Sequence, residues 1–340
     1  MCTDFLLLAE DASVVNGRSM EFGSDLKSEL LISGRGTEKT SPTPDLKDGL
    51  RWTAQYGYIG MNAYGKTIIT DGMNEAGLSI GALWLPGTRY AHTVSTPSQA
   101  LVVDLFTSWV LGTCATVDDV KAQLTGGGIE IWGDLVLEKE TPLHFPIHDE
   151  RGRSIVIEFI DGVAQIHDNP VAVLTNDPPF PWQITNIENY VGLSNTDAEP
   201  IHIGLQRFKQ TGHGSGMRGM PGDSTPPSRF IRTVFQKHFA HRPKDAGEAC
   251  NLAIHLLNGV DIPVGTSASR PAHGGKVEYD YTQWIVVKAL RQKVFNVRTY
   301  TNPTMMQIDL KQLDLSRPGE TLHPLPAQPT SINITGTLTA

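Results

Sequence analysis

The sequence predicts an α+β fold in which antiparallel sheets stack and helices flank them. Three observations carry this reading. Short extended runs, each of strand length and each ended by turn residues, come in blocks. Helical segments fall between the blocks in pairs, an order that favours stacked antiparallel sheets over a doubly wound parallel one. With 33 Gly and 22 Pro in 340 residues, the chain is rich in turns and poor in long helices.

In chain order, strands are expected at Phe5–Ala9, Ser13–Gly17, Leu30–Ser33, Tyr58–Ala63, Thr67–Thr70 and Leu78–Trp84. A helix is expected through the apolar run Leu101–Leu111, with Thr96 as its cap and Pro97 as its first residue. A second opens at Thr116, where a cap followed by Asp119 three residues on makes a capping-box pattern. Strands return at Leu143–His148, Ser154–Ile160, Ala164–His167 and Val171–Leu174. Two further helices at Pro227–Phe239 and Ala246–Asn258 precede strands at Gln283–Lys288 and Val294–Thr299. No repeat or linker divides the chain, so one domain over residues 2–315 is expected, with a tail over 316–340.

Composition narrows the function. A net charge of −8 without a basic stripe argues against nucleic acid, since phosphate binding needs clustered Lys and Arg. Apolar runs such as Leu101–Val110 are too short to span a bilayer, so no membrane partner is expected. Residence in the cytoplasm is expected, because no basic segment followed by an apolar run marks the amino terminus; a periplasmic site would require a signal peptide removed ahead of Met1. The three cysteines, Cys2, Cys114 and Cys250, cannot all pair, which suits a reducing compartment.

Cys2 is the most informative residue. A small second residue permits removal of Met1, and the α-amine so exposed, with a pKa of about 7.7–8.0, is a base placed beside a thiol. If Phe5–Ala9 and Ser13–Gly17 form a hairpin, Arg18 returns beside Cys2, where a guanidinium favours thiolate. Glu21 then stands near enough to hold the amine by a hydrogen bond. His144 and His148, four apart, read as strand residues around Pro146 and lack an acid or Cys to complete a ligand set, so neither metal nor cofactor is expected. Gly212–Gly222 lacks the Gly-Lys-Ser/Thr ending of a phosphate cradle and reads as a substrate-side loop. Cys114 and Cys250 read as small buried apolar residues.

Several blocks, in order, resemble the choloylglycine hydrolase family of penicillin V acylases and bile salt hydrolases. They are Met1-Cys2-Thr3, Gly17-Arg18-Ser19-Met20, Asp71-Gly72-Met73-Asn74-Glu75-Ala76-Gly77-Leu78, Leu143-His144, Ser154-Ile155-Val156-Ile157-Glu158, Leu174-Thr175-Asn176-Asp177-Pro178, Pro221-Gly222-Asp223-Ser224, Ser228-Arg229-Phe230 and Arg298-Thr299-Tyr300. The resemblance runs from residue 2 to about 310 and implies an αββα four-layer sandwich of the N-terminal nucleophile type, acting without a cofactor on a small-molecule linear amide as a homo-oligomer, tetramer or dimer. It implies Cys2 as nucleophile, Arg18 beside it, Asn176 as an oxyanion donor and Arg229 as a second active-site arginine. Phe22, Met61 and Trp84 are implied as substrate-binding residues. The chain departs from the family in carrying Glu21 where Asp is usual. It carries Trp84 where bile salt hydrolases have Asn, as the Gram-negative branch does, which favours aromatic or aliphatic acyl amides such as penicillin V or N-acyl homoserine lactones. Bile salt hydrolysis is the alternative, and a non-catalytic binding protein on the same fold a further one.

Overall fold

The computed structural model describes residues 1–133, 141–270, 276–326 and 334–335. Its first sheet has six strands. The hairpin of β1 (Cys2–Leu8) and β2 (Val14–Phe22) lies at its centre, with Val173–Leu174 on the β1 side and Tyr281–Ala289, Val294–Thr299 and Asn302–Asp309 following on the β2 side. The second sheet contains, in spatial order, Val163–Asp168, Ser154–Ile160, Leu143–His148, Ser79–Gly81, Lys66–Asn74, Tyr58–Ala63, Leu30–Ser33 and Glu320–His323, and Leu83–Trp84 pairs with Leu143–His148. Helices α1 (Phe106–Thr113) and α2 (Val117–Thr125) lie near the second sheet. A short α3 (Phe180–Asn186) follows, then α4 (Pro226–Phe239) and α5 (Ala246–Asn258) against the first. The order of layers is therefore helix, sheet, sheet, helix, as the resemblance implies.

Register explains what fills the space between the sheets. Cys2 pairs with Met20, Asp4 with Arg18 and Leu6 with Asn16; across β2, Met20 pairs with Trp284, Arg18 with Val286 and Asn16 with Lys288. Directly paired residues project to one face and successive residues alternate between faces. Cys2, Asp4, Arg18, Asn16 and Lys288 thus share the inter-sheet face, whereas Thr3, Ser19 and Glu21 turn toward α4 and α5.

Most expected elements are present, and the differences have physical reasons. The helix expected through Leu101–Leu111 begins only at Phe106. Ala100–Val102 is a buried strand paired in parallel with Glu130–Trp132, and an apolar run of that length does not distinguish strand from helix. Thr116 does cap α2, accepting from the Asp119 backbone N–H while the Asp119 carboxylate accepts from the Thr116 N–H. Glu320–His323, assigned to the tail, forms a strand paired with Leu30–Ser33. The hairpin of Ile201–Ile203 and Gln206–Phe208 pairs only with itself and stands clear of both sheets.

Candidate active site

Cys2 ends β1 at the edge of the inter-sheet space and is buried. Its Sγ lies 3.6 Å from Arg18 Nη2 and 3.7 Å from Met20 Sδ. The guanidinium is wholly enclosed. Nη2 also donates to Ala82 O at 2.6 Å, and Nη1 donates to Thr70 O and, at 3.2 Å, to Asp71 Oδ2. Its Cζ stands 5.4 Å from the centre of the Trp284 ring. Gly81 makes this possible, since a Cβ there would come within 3.0 Å of Arg18 Nη1 and 3.2 Å of Asp71 Oδ2.

On the other side of Cys2, its backbone N donates to Asn176 Oδ1 at 2.6 Å. Asn176 follows the strand Val173–Leu174 at the cis peptide turn Asp177–Pro178, and its Nδ2 donates to Trp84 O at 2.7 Å. Arg229 reaches in from the first turn of α4. It donates to Cys2 O, to Thr3 Oγ1 at 2.6 Å and to Asn176 Oδ1 at 2.9 Å, and so locks the terminus to the asparagine. Burial lowers the Arg229 pKa, against the pull of Glu21 and Cys2, and leaves it a cation. The start of α4 is itself tied down by Asp223, whose carboxylate accepts from Thr225 N, Thr225 Oγ1 and Ser228 Oγ and is held at a pKa of about 2 by those bonds.

Above Cys2 opens a mainly apolar cavity, about 760 Å³ when its mouth and the adjoining open solvent are counted. Met20, Phe22, Leu26, Tyr64, Trp84 and Leu143 are among its walls. The Phe22 and Trp84 rings meet with centroids 5.8 Å apart and planes tilted by 56°.

Of the residues expected at the site, Cys2, Arg18, Asn176 and Arg229 converge, and Phe22 and Trp84 line the cavity. Two expectations need correction. The Glu21 carboxylate does not hold the Cys2 amine. Alternation along β2 turns it to the face opposite the thiol, where Oε1 accepts from Thr282 Oγ1 at 2.9 Å and Oε2 is buried without a hydrogen-bond partner. Burial raises its pKa against the pull of Arg229 and the terminal amine, and the Met1 N donates instead to Glu21 O at 2.5 Å. Met61 is sealed in the core two residues further in than Ala63, and Ala63 and Tyr64 line the cavity in its place. Gly212–Gly222, expected as a substrate-side loop, contributes nothing to the walls of this cavity.

His144 and His148 turn to separate carboxylates. His144 lies 3.0 Å from both Glu158 Oε1 and Thr175 O, and His148 Nε2 lies 2.6 Å from Asp4 Oδ1. Sequence reasoning missed Leu26, Ile68, Val103 and Leu143 as wall residues and Lys288 behind the site. A lysine inside the apolar run Trp284-Ile285-Val286-Val287-Lys288-Ala289 was the available signal.

The family model described as linear amide C–N hydrolases, choloylglycine hydrolase family, matches residues 2–325. The chain belongs to that family. It is 29% identical over 322 residues to the bile salt hydrolase/transferase of Clostridium perfringens, covering 93% of this chain and 94% of the relative. The crystal structure of the R18L variant of conjugated bile acid hydrolase from C. perfringens superposes with a TM-score of 0.85 at 28% identity, covering 98% of this chain and 100% of that one. Penicillin V acylase from Agrobacterium tumefaciens gives 0.77 at 25% identity, covering 94% and 90%. The αββα fold and a linear amide hydrolase activity follow from membership, and the reading as a non-catalytic binding protein is set aside. Among the described residues no helix is long and apolar enough to cross a membrane.

Proposed function

We propose that this hydrolase cleaves amides through Cys2 once the residue before it has been removed, and that its acyl group is flat or linear, as in penicillin V or an N-acyl homoserine lactone. The observation that carries the reading is the thiol itself, 3.6 Å from an enclosed guanidinium at the floor of an apolar cavity. The freed α-amine takes the thiol proton and the thiolate attacks the amide carbonyl carbon. Asn176 Nδ2 has two hydrogens and spends one on Trp84 O, which leaves one for the developing oxyanion; the Trp84 backbone N–H is the proposed second donor. Collapse breaks the C–N bond, and the α-ammonium returns its proton to the departing amine. Water then hydrolyses the thioester and restores the thiol. Conjugated bile acid hydrolase from C. perfringens has been solved as R18L and C2A variants, and this chain also has Arg at 18 and Cys at 2 in its own numbering.

Bile salt hydrolysis is the second reading, favoured by the higher similarity to bile salt hydrolases than to penicillin V acylases. The indole of Trp84 and the ring of Phe22 weigh against it, because together they offer stacking surfaces where a fused steroid would need open volume. Purified protein tested against penicillin V, acyl homoserine lactones and glycocholate separates the two. Glycocholate turned over much faster than the others overturns the substrate assignment, while intact-mass analysis showing full activity with Met1 retained overturns the nucleophile.

We further propose a homo-oligomer built on the hairpin Ile201–Phe208. Ile201, Ile203 and Phe208 are 58%, 64% and 49% exposed, an apolar surface whose outer strand edges pair with no other strand among the described residues and that a second copy of the chain would cover. Light scattering of an Ile203→Glu/Phe208→Glu variant should report a smaller species than the parent; an unchanged mass removes the hairpin from the interface.

A further inference from the structure

Behind Arg18, on the side away from the cavity, sits a buried lysine that the amide chemistry above does not use. Lys288 projects from Tyr281–Ala289 into the inter-sheet space and is fully enclosed. Its Nζ lies 2.6 Å from Asp71 Oδ1, while the other oxygen of that carboxylate, Oδ2, faces Arg18 Nη1 at 3.2 Å. The three groups come from three strands and both sheets: Lys288 and Arg18 from the first, Asp71 from the second. The remaining charged or titratable groups facing them are Cys2 and Asp4 from β1 and His148 from the second sheet. Asp4 is engaged by His148 Nε2 at 2.6 Å and by Asn16 Nδ2 at 3.0 Å.

Charge counting gives this arrangement a consequence. A guanidinium paired with one carboxylate is a neutral couple and would offer the Cys2 sulfur little net attraction. A second cation on the far oxygen leaves the triad itself with one net positive charge, in a space where water does not screen it and where Asp4, held by His148 and Asn16, pulls against it with or without Lys288. The same contact fixes the roll of the carboxylate, so that Oδ2 rather than Oδ1 meets Arg18.

We propose that Lys288 is a positioning residue for the reaction: acting through Asp71, it leaves the Arg18 charge uncancelled and so holds Cys2 toward its thiolate form. The inference rests on the reading of Cys2 as nucleophile. Burial lowers the Lys288 pKa, and Asp71 and Asp4 pull against that.

The test follows Cys2 alkylation by iodoacetamide as a function of pH in the processed enzyme, with peptide mass mapping to separate Cys2 from Cys114 and Cys250. Lys288→Met should raise the apparent pKa of alkylation by about one unit, which is about a tenfold slower reaction below that pKa. It should lower kcat with KM changed less than about twofold, while Lys288→Arg stays close to the parent. The deciding variant is Asp71→Asn/Lys288→Met, which removes both charges and restores one net positive charge on Arg18. Its alkylation profile should return toward the parent. A Lys288→Met profile identical to the parent overturns the proposal, and so does a double variant shifted as far as the single one. If Lys288→Met does not fold, Asp71→Asn decides: it leaves both cations uncancelled, so its apparent pKa of alkylation should fall below the parent's, and an unchanged or raised value overturns the proposal. Failure of the underlying reading looks different, because a Cys2→Ala enzyme would then retain hydrolysis whatever the alkylation profiles show.

Discussion

Cys2 and Cys114 are both buried, 2% and 0% exposed, yet their surroundings differ in kind. Cys2 sits between the sheets, where paired strands project Asp4, Arg18 and Lys288 onto one face. Cys114 ends α1 in the outer layer among Trp109, Val110, Leu111 and Val117, with Thr113 Oγ1 at 3.6 Å as its polar neighbour. Burial pushes its thiol up to about 12, against the Thr113 hydrogen bond. Depth alone therefore says little about a thiol. What decides is whether the neighbouring strands bring a cation to the same face. The largest expected effect tests that directly. Cys2→Ala should reduce amide hydrolysis by at least about 10³-fold, whereas Cys114→Ala should leave kcat/KM within about twofold. Comparable losses in both variants would remove the distinction.

The contrast sharpens at Asn176, which stands on the polar side of Cys2 as the cavity walls stand on its apolar side. Asn176 holds the Cys2 N–H through Oδ1 and presents Nδ2 toward Trp84 O. Removing one oxyanion donor typically costs about 10²–10³ in kcat. Asn176→Ala should fall in that range with a smaller change in KM, measured under steady-state conditions. A loss confined to KM would mean that the residue binds substrate and does not stabilise the transition state.

Legibility in the sequence followed the same division. The terminal hairpin was readable because strand alternation and a tight turn are local properties, and they carried Arg18 to Cys2. Glu21 was misplaced because adjacency in sequence hides alternation, which puts consecutive residues on opposite faces. Met61 was misplaced because depth along a strand depends on the neighbouring strands. The onset of α1 was misjudged because Ala100–Val102 is apolar enough for either a buried strand or a helix, and its partner Glu130–Trp132 lies 30 residues away. The Asp71–Lys288 contact joins residues 217 positions apart, a pairing that no local pattern announces.

Within the cavity, the expected effects are smaller because apolar contacts are individually modest. Trp84→Ala should weaken turnover of an aromatic or long-chain substrate by on the order of 1–3 kcal/mol, mainly through KM, as an indole face is lost beside Phe22. The same variant should improve glycocholate relative to the parent by opening space. A drop in kcat at unchanged KM would instead assign Trp84 to the oxyanion side of the site.

The smallest effect on activity compares the two inward cations of α4. Arg229 near its start reaches the catalytic end; Lys237, eight residues on and on the same side of the helix, reaches the rear, donating to Val171 O at 2.6 Å and Ala172 O at 3.3 Å. Burial lowers the Lys237 pKa from 10.5 to about 8, with only Asp4 pulling the other way. Between those two pH values the unfolded chain binds the proton that the folded chain has released, so stability rises with pH through that window; below pH 8 the cost of burying the charge is present in full. Lys237→Met removes this dependence but leaves two carbonyls without their donor, which offsets part of the gain. Urea unfolding of parent and variant across the window should therefore show a difference in stability that narrows as pH rises, by about 3 kcal/mol in total. Taking the difference cancels the other groups that titrate there, and activity should stay within about twofold, since Lys237 touches nothing in the cavity. A constant difference between parent and variant would mean that Lys237 remains charged throughout, and that carbonyl hydrogen bonds at the rear of α4 hold a cation as firmly as Cys2, Thr3 and Asn176 hold Arg229 at its front.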